Sequence, residues 1–137
     1  MVDVKRLRSL WVVAALSTIS VLAVGTAASA HGGGSDPTHV IVRGACSDAS
    51  HWRLHLVEYP RLIGVGFRVK SGVPGEIWRV RIEHGDHVVF ADLLRTLEPE
   101  GVLGVRRPIR NTHGLDLVRA RAVNIETGEV CVGRAAI

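Results

Sequence analysis

The sequence predicts an all-β fold, an immunoglobulin-like antiparallel β-sandwich of about seven to eight strands, preceded by a helical signal peptide. Three observations carry that expectation. Short runs with apolar residues at alternate positions recur at intervals of roughly 8 to 12 residues. Clusters of Gly, Pro, Asn and Asp punctuate them. Beyond residue 30 no stretch of the 137-residue chain holds a convincing helical period.

The first 30 residues read as a cleavable export signal. Lys5, Arg6 and Arg8 form the basic start, an apolar stretch runs from Leu10 to Val24, and Ala28-Ser29-Ala30 supplies the small-x-small cleavage pattern. An uncleaved anchor needs roughly 20 predominantly apolar residues. This core is shorter and carries Ser17, Thr18 and Ser20. The expected product is secreted, extracellular or cell-surface associated, with no membrane span after cleavage.

His31 to Pro37, rich in Gly, has the composition of a flexible lead, so the sandwich domain is expected over 38–137. His39 to Ala45 opens the strand series. His51 to Glu58 places Trp52, Leu54 and Leu56 on one face and Arg53, His55 and Val57 on the other, and Tyr59-Pro60 ends it. From Leu62 to Lys70, Ile63, Val65, Phe67 and Val69 alternate with Gly64, Gly66, Arg68 and Lys70, so the first set faces the core. Ser71 to Gly75 turns the chain. Trp78, Val80 and Ile82 then alternate with Arg79, Arg81 and Glu83, and His84-Gly85-Asp86 turns it again. Val88 to Leu94 and Val102 to Ile109 are weaker strands. Ala91 to Glu98 has room for a short helical turn, and Pro108 argues against a ladder position. Leu115 to Ile125 and Val130 to Ile137 flank the hairpin turn Glu126-Thr127-Gly128-Glu129.

Cys46 and Cys131 both follow the signal, and an even pair in an oxidising compartment is read as a disulfide. Neither belongs to the close C-x-x-C spacing of redox or metal sites. Charge changes once the signal is set aside. Of 17 Lys and Arg three precede the cut, and of 13 Asp and Glu one does, leaving 14 against 12 and a net charge of +2. So small a surplus makes nucleic acid an unfavoured partner.

Leu117-Val-Arg-Ala-Arg-Ala-Val-Asn124, followed by Thr127-Gly128-Glu129, resembles the penultimate strand and final hairpin of fibronectin type III domains. The resemblance implies an immunoglobulin-like sandwich; the tyrosine that usually opens that strand is replaced by Leu115 or Leu117. The whole chain also resembles small secreted proteins of unassigned function from high-GC, actinomycete-type bacteria, in line with 15 Arg against 2 Lys. That second likeness implies no activity.

Catalytic patterns are missing. There is no G-x-S-x-G, H-E-x-x-H or P-loop, and the scattered carboxylates nominate no acid/base pair. His113 and Asp116 belong to a turn with Asn111 and Gly114. The expected role is a non-catalytic binding or cell-surface interaction module without a cofactor. Arg79, Arg81, Arg119 and Arg121 on polar strand faces form a candidate stripe for a cell-wall or other anionic extracellular polymer, with a protein partner as the other option. Trp52 and Trp78 open apolar alternations and belong to the core.

The alternative is a copper site. Cleavage after Ala30 leaves His31 as the amino terminus, whose α-amine and imidazole chelate Cu(II), with His84 and His87 as partners and His39, His51 and His55 as further histidines. Copper-dependent polysaccharide monooxygenases and periplasmic copper-binding sandwich proteins resemble this arrangement. Gly32 to Gly34 supply no rigid strand to hold it.

Overall fold

The computed structural model describes residues 36–137; the expected signal peptide, His31 and most of the expected lead lie outside the described residues. Eight strands form: β1 (His39–Ala45), β2 (His51–Glu58), β3 (Leu62–Lys70), β4 (Ile77–His84), β5 (His87–Arg95), β6 (Val102–Arg110), β7 (Leu117–Asn124) and β8 (Val130–Ala136). They build two four-stranded sheets, ordered β1-β2-β3-β6 and β5-β4-β7-β8, with every pairing antiparallel. The chain is an all-β sandwich, as its alternation predicts.

The core is the sum of the inward alternations. Leu54 and Leu56 of β2, Ile63, Val65, Phe67 and Val69 of β3, and Leu103, Val105 and Ile109 of β6 are buried in one sheet. Trp78, Val80 and Ile82 of β4, with Val118, Ala120 and Ala122 of β7, meet them from the other. Each Val, Leu, Ile or Phe side chain among them contributes roughly 1.5–3 kcal/mol when fully buried. Register is thereby fixed, because a one-residue slip would expose a whole set.

One edge of the sandwich is clasped. Cys46, just after β1, is bonded to Cys131 in β8 across 85 residues, which joins the two sheets. Beside it, the Ser50 backbone N–H and hydroxyl donate to Glu129 Oε1 and Oε2 at 2.7 and 2.8 Å. The Ser47 N–H donates to the Val130 carbonyl at 2.8 Å, and the Val130 N–H returns to Ser47 Oγ at 2.9 Å. Trp52 completes the clasp: its Nε1–H donates to the Ala45 carbonyl at 3.1 Å, and its indole lies between the backbones of Gly44 and Gly133. A Cβ at either glycine would come within 2.7 Å of the ring, so both positions need the missing side chain. Trp78 is fully buried, whereas Trp52 is half-buried and packs against the core from this edge.

Two expectations change. Ala91 to Glu98 holds no helical turn: β5 runs through to Arg95, with Phe90 and Leu94 opposite Ile82 and Trp78. β6 is a full nine-residue strand despite Pro108, because it lies at a sheet edge, where proline is tolerated. At the edge where β5 meets β6, the Arg107 guanidinium stands 5.0 Å from the Phe90 ring centroid. The closing hairpin keeps its expected turn, with Gly128 at φ 76° and Asn124 Oδ1 accepting the Glu126 and Thr127 N–H groups at 2.9 and 3.1 Å.

Candidate functional site

The alternation that buries the core turns the cations outward. On the β5-β4-β7-β8 sheet the outward positions bring Arg79, Arg81, Arg119, Arg121 and Arg134 onto one face, with Arg81 opposite Arg121 and Arg119 opposite Arg134. The four arginines of the expected stripe are therefore neighbours. Glu83 lies among them, 2.7 Å from Arg81 Nε and 4.0 Å from Arg119 Nη1, and offsets part of their charge.

The outward face of the other sheet is as rich in cations and the better shaped. Register places Arg43, Arg53, Arg68, Lys70, Arg106 and Arg110 on it. Its acid, Glu100, reaches in from the loop before β6 and makes only long contacts, 3.7 Å to Arg68 and 3.8 Å to Lys70. At these exposures such contacts fix little. Down the centre of this face Gly64 and Gly66 of β3 and Gly104 of β6 leave the backbone uncovered. The result is an open groove of about 580 Å³ walled by Arg53, His55, Arg68 and Arg106. It continues into a second depression of about 410 Å³ ending at Tyr59, the two sharing His55, Gly66 and Arg106.

The groove is electropositive at its centre. His55 Nε2 and His39 Nδ1 are 3.2 Å apart with their rings stacked, so one ring must donate to the other. Partial burial, then the charges of Arg53, His39 and Arg106, hold the His55 imidazole below its usual range. Arg53 Nε is buried without a hydrogen-bond partner among the described residues.

The candidate copper ligands are placed differently. His84 and His87 pair across the β4–β5 turn, but His84 Nε2 lies 2.6 Å from the buried carboxylate of Asp116. His31 lies outside the described residues. Among the described residues no group of three or more His, Cys, Asp or Glu is arranged to hold a metal, and no helix is long and apolar enough to cross a membrane. His113, at φ 59°, and Asp116 do shape the turn: the His113 N–H donates to Asn111 Oδ1 at 2.8 Å, and Asp116 accepts from the Thr112 N–H and hydroxyl.

No protein-family model matches the chain, and neither curated proteins nor solved structures yield a match.

The groove was partly visible in the sequence. The run Gly64-Val-Gly-Phe-Arg68 alternates core residues with glycine, so two outward positions of this strand raise no side chain. What periodicity cannot say is that Arg53 and Arg106 flank those glycines, since that depends on which strands pair.

Proposed function

We propose that this chain is exported and acts as a non-catalytic binding module, presenting a cationic sheet face to an anionic extracellular polymer such as cell-wall material. The observation that carries the reading is charge segregation. In the strands, outward positions of both sheets carry arginine after arginine with Glu83 as the acid among them, while most other carboxylates lie at turns and strand ends. A net charge of +2 beyond the signal conceals this. A single-signed face raises the local concentration of a polyanion far more than net charge implies.

The strand order supports an immunoglobulin-like, fibronectin type III-like reading of the scaffold. The β8-β7-β4-β5 order follows the G-F-C-C′ sheet of such domains, and β2-β3-β6 corresponds to A-B-E, with β1 as an added edge strand. The disulfide between cysteines 85 positions apart fits an oxidising destination.

The test is retention of the secreted protein on isolated cell-wall material at rising salt. Retention at low ionic strength that falls steeply toward 1 M, where the screening length is about 3 Å, is the expected result. Absent or salt-indifferent retention would overturn the reading.

A further inference from the structure

We propose that the outward face of β2, β3 and β6 is the binding groove of this module and that its ligand is an acidic polysaccharide laid along β3 over Gly64, Gly66 and Gly104. The inference rests on the binding-module reading and adds the site and the ligand class.

Shape comes first. Side chains on a sheet face normally stand up and close it, yet Gly64 and Gly66, successive outward positions of β3, raise none, and only the Tyr59 ring leans toward Gly64. A Cβ built on Gly66 would meet nothing nearer than the His55 carbonyl at 3.8 Å, and one on Gly104 nothing nearer than the Phe67 carbonyl at 3.8 Å. The fold therefore does not require glycine at either place for packing; what the glycines supply is an open, flat floor. Such a floor admits a broad ring lying against the backbone.

Charge follows the same axis. Lys70, then Arg53 with Arg68, then His55 with Arg106 occupy successive outward tiers across the face. Each tier is about 7 Å from the next, so the cations extend over about 13 Å, a spacing for a chain rather than a single anion. Arginine suits this task because its planar fork takes a carboxylate through two parallel hydrogen bonds. Arg53 keeps a buried Nε donor without a protein acceptor among the described residues. At the groove end Tyr59 is 44% exposed and its Cε2 lies 3.6 Å from where a Gly64 Cβ would stand. A half-exposed aromatic ring at the end of a polar groove is a stacking partner for a sugar face. The β4–β7 face has arginines but offers neither this glycine floor nor an uncompensated pair at its centre, since Glu83 holds Arg81.

Calorimetric titration with oligogalacturonate, with neutral dextran oligosaccharides and inorganic polyphosphate as comparison probes, tests the assignment. Wild-type protein is expected to bind oligogalacturonate in a salt-dependent manner, with dextran at least tenfold weaker. A Cβ fits at both Gly66 and Gly104, so Gly66→Val and Gly104→Val, which raise side chains from the floor, should keep the fold and lose about tenfold or more in affinity. Arg53→Gln with Arg106→Gln should lose about tenfold or more, and the charge-matched Arg79→Gln with Arg121→Gln distinctly less. Tyr59→Ala should weaken oligogalacturonate but leave polyphosphate unchanged. Wild-type affinity in both folded valine variants, or an equal or larger loss from the Arg79 and Arg121 pair, would remove the groove while leaving a binding module. Tighter binding of polyphosphate that ignores Tyr59→Ala would remove the polysaccharide. A protein that binds neither oligogalacturonate nor cell-wall material would fail both readings.

Discussion

Asp116 shows how one buried carboxylate can organise three segments. Only 2% exposed, it accepts the Thr112 hydroxyl at 2.7 Å, the Thr112 N–H at 3.1 Å and a contact from His84 at 2.6 Å. Its own N–H donates to the Ile137 carbonyl at 3.0 Å, which holds the chain end. Burial alone would raise its pKa; the hydrogen bonds from Thr112 and His84, with the charge of His84, outweigh that and bring it below the ordinary value. Since the folded state then loses this proton more readily than the unfolded chain, Asp116 stabilises fully above the unfolded value near 4. That contribution is lost as pH falls through the lower folded value. Urea unfolding at stepped pH should show Asp116→Asn less stable than wild type by about 1–3 kcal/mol at neutral pH. The deficit should shrink below pH 4; one that stays constant down to pH 2 would contradict this role.

At the scale of elements, β1 and β8 belong to different sheets and are joined through Trp52. Its indole fits because β8 presents Gly133 and β1 presents Gly44 where a side chain would collide with the ring. Gly133→Ala should therefore cost about 1–3 kcal/mol by overpacking, the cost of forcing a buried ring aside. Chemical denaturation and near-UV circular dichroism read stability and the indole environment together. An alanine variant with wild-type stability and an unaltered aromatic spectrum would show that the ring is not confined. The contrast with Gly66 is instructive: two outward or inward glycines in strands look alike in sequence, but one is filled by a tryptophan and the other stays open.

For the whole molecule, the disulfide is a covalent side-chain cross-link between the two sheets, closing a loop of 85 positions. Replacing both cysteines, Cys46→Ser with Cys131→Ser, should lower stability by about 2–5 kcal/mol, through greater freedom of the unfolded chain and loss of the edge clasp. Equilibrium denaturation of the two proteins side by side measures it. Because Ser50, Glu129 and Trp52 hold the same edge, the strand pairing should survive in the far-UV spectrum. Loss of the β spectrum in the serine variant would mean that those contacts cannot hold the sheets together.

Much of this was legible before the fold. Period-two alternation placed all eight strands within a few residues, because a half-buried strand writes its two faces directly into the sequence. The Thr127-Gly128 turn, the cysteine pair and the buried Trp78 were equally local or combinatorially simple. Trp52 was legible as apolar but not as a ring between two glycines, and β5 left room for a helical turn because half of its alternation faces an open edge. The arginine stripe on β4 and β7 was named from faces alone, and pairing did make those residues neighbours. The groove on the opposite sheet was not named, although Gly64, Gly66 and Arg68 were each placed on the outward side of their strand. By itself the sequence determined which residues face inward, where the chain turns and which two cysteines join. Tertiary structure decided which outward residues share a surface, because that depends on strand order between segments up to some fifty positions apart, and alternation carries no information about order.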